Sequence, residues 1–199
     1  MRKLLLTTAA VAAAIAGAVA DETAFGTFTD TRDGQTYKTV KIGEQTWMAQ
    51  NINYQTESGS WYYENKADDC KKYGRLYDWE TATKACPRGW KLPSREDWGR
   101  LVETAIGWKT AGKKLKSKSG WNKNGNGTDD YGFSALPGGN RNSDGGFGNA
   151  GSNGHWWMAT EDSSGDAYRR GMNYDGDYVY EGSSGKSNGF SVRCVAARP

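Results

Sequence analysis

Nine Trp, eleven Tyr and five Phe share a chain of 199 residues with 27 Gly and only four Pro. Each buried ring removes about 150–250 Å² from water, so a chain this poor in aliphatic residues builds its core from rings. Glycine at this density weakens helices and strands alike and favours turns, so long helices cannot dominate. Disordered chains have few aromatics, which excludes that class here. The negative mean hydropathy therefore reflects Gly, Asn, Ser and Asp loops wrapped around an aromatic core.

The first twenty residues have a different texture. Arg2 and Lys3 form a short positive region, Leu4 to Ala16 an apolar run, and Ala18-Val19-Ala20 a small-x-small cleavage site before Asp21. This order predicts a cleavable secretory signal peptide over 1–20. A membrane anchor would need a longer apolar run and a positive stop-transfer flank. A linker over 21–29 and one domain over 30–199 follow, with no membrane insertion of the mature chain. The formal charge of +3 falls to about +1 once Arg2 and Lys3 leave, which argues against a nucleic-acid partner. Lys113, Lys114, Lys116 and Lys118 read as a solvated loop or helix end, the alternative being contact with an anionic polymer.

Asp33-Gly34 and Gly43-Glu44 are turn signals around Tyr37, Val40 and Ile42, so 30–54 reads as a hairpin. Two short helices follow. Asp78 caps the first, which places Trp79, Ala82, Ala85 and Cys86 on one face. Ser94 and Asp97 resemble a capping box for the second, whose stripe is Trp98, Leu101, Val102 and Ala105. Between them Trp90 to Pro93 reads as extended. Trp61, Tyr62 and Tyr63 lack periodicity and read as core or as a surface patch. Strands are expected at 131–133, 156–160, 168–172, 178–180 and 190–195. Helices followed by a run of strands predict an α+β fold.

Three stretches carry a family resemblance: DGQTYKTVKIGEQTWMAQNINY (33–54), YGRLYDWETATKACPRGWKLPSREDW (73–98) and KSNGFSVRCV (186–195). They resemble the Fibrobacter succinogenes major paralogous domain over about residues 30–195, and through it the C-type-lectin-like fold of formylglycine-generating enzymes. The resemblance implies two short helices, short antiparallel strands, long Gly-rich loops, and a secreted, periplasmic or cell-surface bacterial protein. It also implies a disulfide between Cys86 and Cys194. Cys70 is then left over, because Tyr62 stands where family members often have a second Cys. Residues 157–168 further resemble the framework of lectin-like proteins diversified by retroelements, which implies a C-terminal region tolerant of ligand-facing variation.

The chemistry of that enzyme relative is not expected here. Its oxidase reaction uses a cysteine pair between a Gly-Gly segment, resembled by Gly138-Gly139-Asn140-Arg141, and the last strand, where this chain has only Cys194. His155, the only histidine, has no recognisable nucleophile motif beside it. Asp129 and Asp130 with Glu161 could supply acid/base pairs, but loop roles explain them. Asp175-Gly176-Asp177 and Asp162 to Asp166 offer oxygen at calcium-like spacing without an EF-hand pattern, and turn formation accounts for them. No cofactor and no metal are expected.

A binding surface is the remaining reading. Trp156, Arg170, Tyr174, Tyr178 and Tyr180 are of hot-spot type and are the expected ligand-binding residues. Alternation along a strand buries about half of such a set, so a purely core role is the competing account. The function expected is a non-enzymatic module for polysaccharide or a cell-surface protein ligand. The alternatives are a structural envelope protein, a retroelement-diversified binder, or an enzyme with replaced chemistry.

Overall fold

The computed structural model describes residues 24–197, so the signal peptide expected over 1–20 lies outside the described residues. The chain runs through β1 (Phe25–Thr29), β2 (Thr36–Ile42), β3 (Gln45–Met48), β4 (Ser60–Trp61), α1 (Ala67–Tyr73), β5 (Leu76–Tyr77), α2 (Trp79–Ala85), β6 (Trp90–Lys91), α3 (Arg95–Thr104) and α4 (Ala111–Leu115). It ends in β7 (Gly138–Arg141), β8 (Phe147–Ala150), β9 (Asn153–Glu161), β10 (Asp166–Asn173), β11 (Tyr180–Gly185), β12 (Phe190–Ser191) and β13 (Val195–Ala196). The fold is α+β, mostly short strands with few short helices.

One sheet has the order β1-β2-β3-β13-β6, so the first and last described strands share it. The second runs β11-β10-β9-β12-β5-β4, with β7 beside β9 and β8 beside β7. Long β9 is its spine. Trp156 and Trp157 are consecutive, so their indoles point to opposite faces. Trp156 joins Trp47, Trp98 and Phe133 in one core cluster, and Trp157 joins Tyr77, Trp79 and Phe190 in the other. Both indoles find partners, Trp156 Nε1 donating to Asn51 Oδ1 and Trp157 Nε1 to the Tyr77 carbonyl, each at 2.8 Å. The guanidinium of Arg193, fully buried, donates to Asn51 Oδ1 and to the Phe133 carbonyl and stands 4.4 Å above the Phe133 ring. Burial pulls its pKa down to about 9, against the opposing charge of Asp129.

The caps form as their residues dictate. Asp78 accepts from the Thr81 N–H at 2.8 Å, and Ser94 and Asp97 exchange the two bonds of a capping box. The disulfide that the resemblance implied is present: Cys86, at the end of α2, is bonded to Cys194, just before β13, at a sequence separation of 108. Cys70 is free and half-buried.

Several expectations are corrected. Residues 25–29, expected as linker, pair with β2 over their whole length, and Phe28 packs edge-on against Trp90 at 5.3 Å. Among the described residues four α-helices form rather than two; α1 buries only Tyr73, so it has no apolar stripe, and α4 has too few residues to show a period. Tyr131-Gly132-Phe133 is a loop, because Asp129, Gly132 and Ser134 all have positive φ and the Asp129 carboxylate accepts from the Ser134 N–H and hydroxyl. Tyr178 and Val179 precede β11 rather than belong to it. Lys116 is not solvated but buried. Trp61, Tyr62 and Tyr63 are half-buried, covered by Arg141, Arg75 and Phe147 respectively.

Candidate functional site

The hairpin of β10 and β11 forms one edge of the second sheet, and its register decides which side chains share a face. Arg170 lies opposite Glu181 and Gly171 opposite Tyr180. Arg170 and Glu181 therefore face α3, while Tyr180 faces the other way.

On the α3 side, Glu181 accepts from two guanidiniums at once, Arg170 at 2.8 Å and Arg95 at 2.5 Å. Arg95 also lies 4.8 Å above the Tyr168 ring. Burial pulls the Arg170 pKa down, and Glu181 opposes the shift. Beside this network a groove of about 510 Å³ opens between the hairpin and the end of α3, bordered by Gly99, Val102, Glu103, Gly107, Trp108 and Arg170. Trp108 is 57% exposed, and its carbonyl accepts from the Val179 N–H at 2.8 Å, so an open indole is carried on fixed backbone.

On the opposite side, rings form a chain from the surface inward. Tyr178 is 6.1 Å from Tyr180, Tyr180 is 6.3 Å from His155, and His155 is 5.1 Å from Phe190. Tyr180 lies flat on Gly171, where a Cβ would meet its ring at 2.2 Å. His155 Nδ1 is within 3.1 Å of Arg169 Nη1 and 3.3 Å of the Tyr180 hydroxyl. Both partners can donate, so Nδ1 is the acceptor and the ring is neutral. Burial and the Arg169 charge push its pKa down to about 3. A histidine so placed does not serve a surface reaction as base.

The five expected ligand-binding residues are thus dispersed. Trp156 is 0% exposed and is withdrawn to the core, because its partner Arg170 faces α3 and so does it. Arg170 and Tyr180 both border the groove, although the Tyr180 ring packs on the opposite face against His155 and Gly171; Tyr178 is 36% exposed on that opposite face. Tyr174 packs against the core under the Lys123 ammonium, 5.3 Å from its ring, beside a separate lysine-rich hollow. Trp108, Arg95 and Gly99 are the residues missed. The spacing 98, 101, 105, 108 would put Trp108 on the buried stripe, but positive φ at Ile106 and Gly107 ends the helix and turns the indole out.

The acidic candidates do not converge. Asp129 holds its own loop, Asp130 lies 4.0 Å from Lys114, and Glu161 pairs with Lys186 at 3.1 Å. Among the described residues no group of three His, Cys, Asp or Glu is placed to hold a metal ion, and no helix is long and apolar enough to cross a membrane.

The model of the family described as the Fibrobacter succinogenes major domain matches residues 40–196. Nothing among curated proteins or solved structures matches the chain.

Proposed function

The chain belongs to the Fibrobacter succinogenes major domain family, and we propose that it works as a secreted, non-enzymatic binding module that recognises polysaccharide through its C-terminal hairpin. The observation that carries this reading is the pairing, at one edge of the second sheet, of exposed rings with polar groups locked in place. Trp108 and the Arg95–Glu181–Arg170 network lie on one face of the hairpin, Tyr178 on the other. Rigid rings beside fixed donors and acceptors suit sugars, which present apolar ring faces and hydroxyl edges. A buried, neutral His155 and dispersed carboxylates support binding rather than turnover.

A C-type-lectin-like architecture fits the same reading. The disulfide from α2 to the final segment, and the first and last strands meeting in one sheet, support it. Secretion rests on the residues 1–20, and a stable disulfide is at home in an oxidising compartment.

The test is a glycan array probed with the mature, oxidised protein. Selective binding to a group of related polysaccharides is expected, whereas a blank array together with selective capture of one cell-surface protein would overturn the reading in favour of a protein ligand.

A further inference from the structure

Gly99 has no packing reason to be glycine. It lies inside α3 without positive φ, and a Cβ built on it meets no atom within 4 Å. At other positions glycine is required: at Gly112 a Cβ would meet the Tyr178 carbonyl at 2.5 Å, and at Gly171 the Tyr180 ring. Inside a helix, glycine costs stability relative to alanine. The side chain missing at Gly99 leaves open one wall of the groove that Trp108 and Arg170 border.

We propose that this groove is a subsite for one pyranose ring, with Trp108 as the stacking platform, Arg170 and Glu181 as the hydrogen-bonding edge, and Gly99 as the wall kept clear for the ring. The proposal rests on the reading of the ligand as polysaccharide. The indole of Trp108 is exposed on backbone that the Val179 N–H holds at 2.8 Å, and Lys109 Nζ stands 5.5 Å from its centroid. An exposed indole offers the apolar face of a sugar a flat partner. The edge of the ring needs donors and acceptors together, and a guanidinium locked to a carboxylate at 2.8 Å presents both at no further ordering cost. The volume of about 510 Å³ lies within the range of small-molecule sites.

Isothermal titration of the intact mature protein decides it, with neutral hexasaccharides of β-1,4-glucan, β-1,4-mannan and β-1,4-xylan and the anionic hexasaccharide of galacturonate as probes. The wild type should bind at least one of these probes. Gly99→Gln and Trp108→Ala should each weaken that binding at least tenfold, while Gly99→Gln melts at or above the wild-type temperature. Wild-type affinity in both variants would remove the groove as the subsite and leave the polysaccharide reading standing. No binding of any probe, with a blank glycan array, would overturn both.

Discussion

The ammonium of Lys116 donates to the Asn173 carbonyl at 3.1 Å from a residue only 1% exposed. It donates also to the Gly176 carbonyl at 2.9 Å and lies 5.2 Å from the centre of the Trp121 ring. Desolvation pulls its pKa down, while Asp177 and Asp175 hold it up. An internal cation thus closes the loop whose carboxylates looked calcium-like in the sequence. Lys116→Met keeps the aliphatic stem and strands the two carbonyls. A loss of about 1–3 kcal/mol for each unsatisfied acceptor is expected in urea unfolding. Millimolar calcium should leave the wild-type melting temperature unchanged; a rise on adding calcium would show a cation bound elsewhere in the loop.

His155 sets an acid limit. Its folded pKa of about 3 lies below the unfolded value of 6.5, so between those values the unfolded chain binds a proton that the native state refuses. Stability is complete above pH 6.5 and falls as pH drops toward 3, by about 3 kcal/mol at pH 4.5 and about 5 kcal/mol in full, at 1.36 kcal/mol per unit. The depressed carboxyls of Asp30 and Asp97 add their losses only below about 3.8. His155→Asn retains an acceptor for Arg169 and should flatten the stability profile between pH 4.5 and 6.5. An unchanged slope in that variant would assign the acid sensitivity to other groups.

The caps of α2 and α3 were legible because Asp78 and Ser94 act within one turn of themselves. The disulfide was legible only through family resemblance, since its ends lie 108 positions apart. The ligand face was only partly legible. Trp156 and Arg170 read alike as hot-spot types, but cross-strand register makes both face α3, where depth alone separates a core ring from a rim guanidinium. Lys116 was misread because its acceptors are main-chain carbonyls nearly sixty residues away, which leave no mark on side-chain pattern. Gly99 carried no local signal; its meaning lies in an empty volume that only the packed hairpin defines.

Reduction should cost heavily. Opening a loop of 108 residues forfeits about 4–5 kcal/mol in the chain-entropy account. Paired Cys86→Ala and Cys194→Ala substitution should lower the urea midpoint accordingly. Cys70, half-buried and free, should take up one equivalent of iodoacetamide in the native protein without reductant. Uptake of none, with a dimer on non-reducing gels, would place Cys70 in an intermolecular disulfide.

Processing is read from mass. The exported chain should begin at or within a few residues of Asp21. Mature protein that retains residues 1–20 and partitions into membranes would replace the cleaved signal with an anchor.

Trp156 and Tyr178 separate core from surface within one candidate set. Trp156 is fully enclosed, 6.1 Å from Trp98, and donates to Asn51. Its truncation to Ala opens a cavity and strands the Asn51 oxygen from one donor, so about 3–5 kcal/mol of stability should be lost, and any loss of binding follows from unfolding. Tyr178 is 36% exposed, packs on Tyr180 and the Gly176 backbone, and its hydroxyl accepts from the Asn173 side-chain amide at 3.5 Å. Tyr178→Ala should change stability by less than about 1 kcal/mol. If the outer face of the hairpin contributes to the polysaccharide contact, that variant weakens binding by about 1–3 kcal/mol. Thermal melts and titrations on the same preparations give both numbers. A Tyr178→Ala protein with wild-type affinity, beside a Trp108→Ala protein that has lost it, would confine recognition to the α3 side of the hairpin.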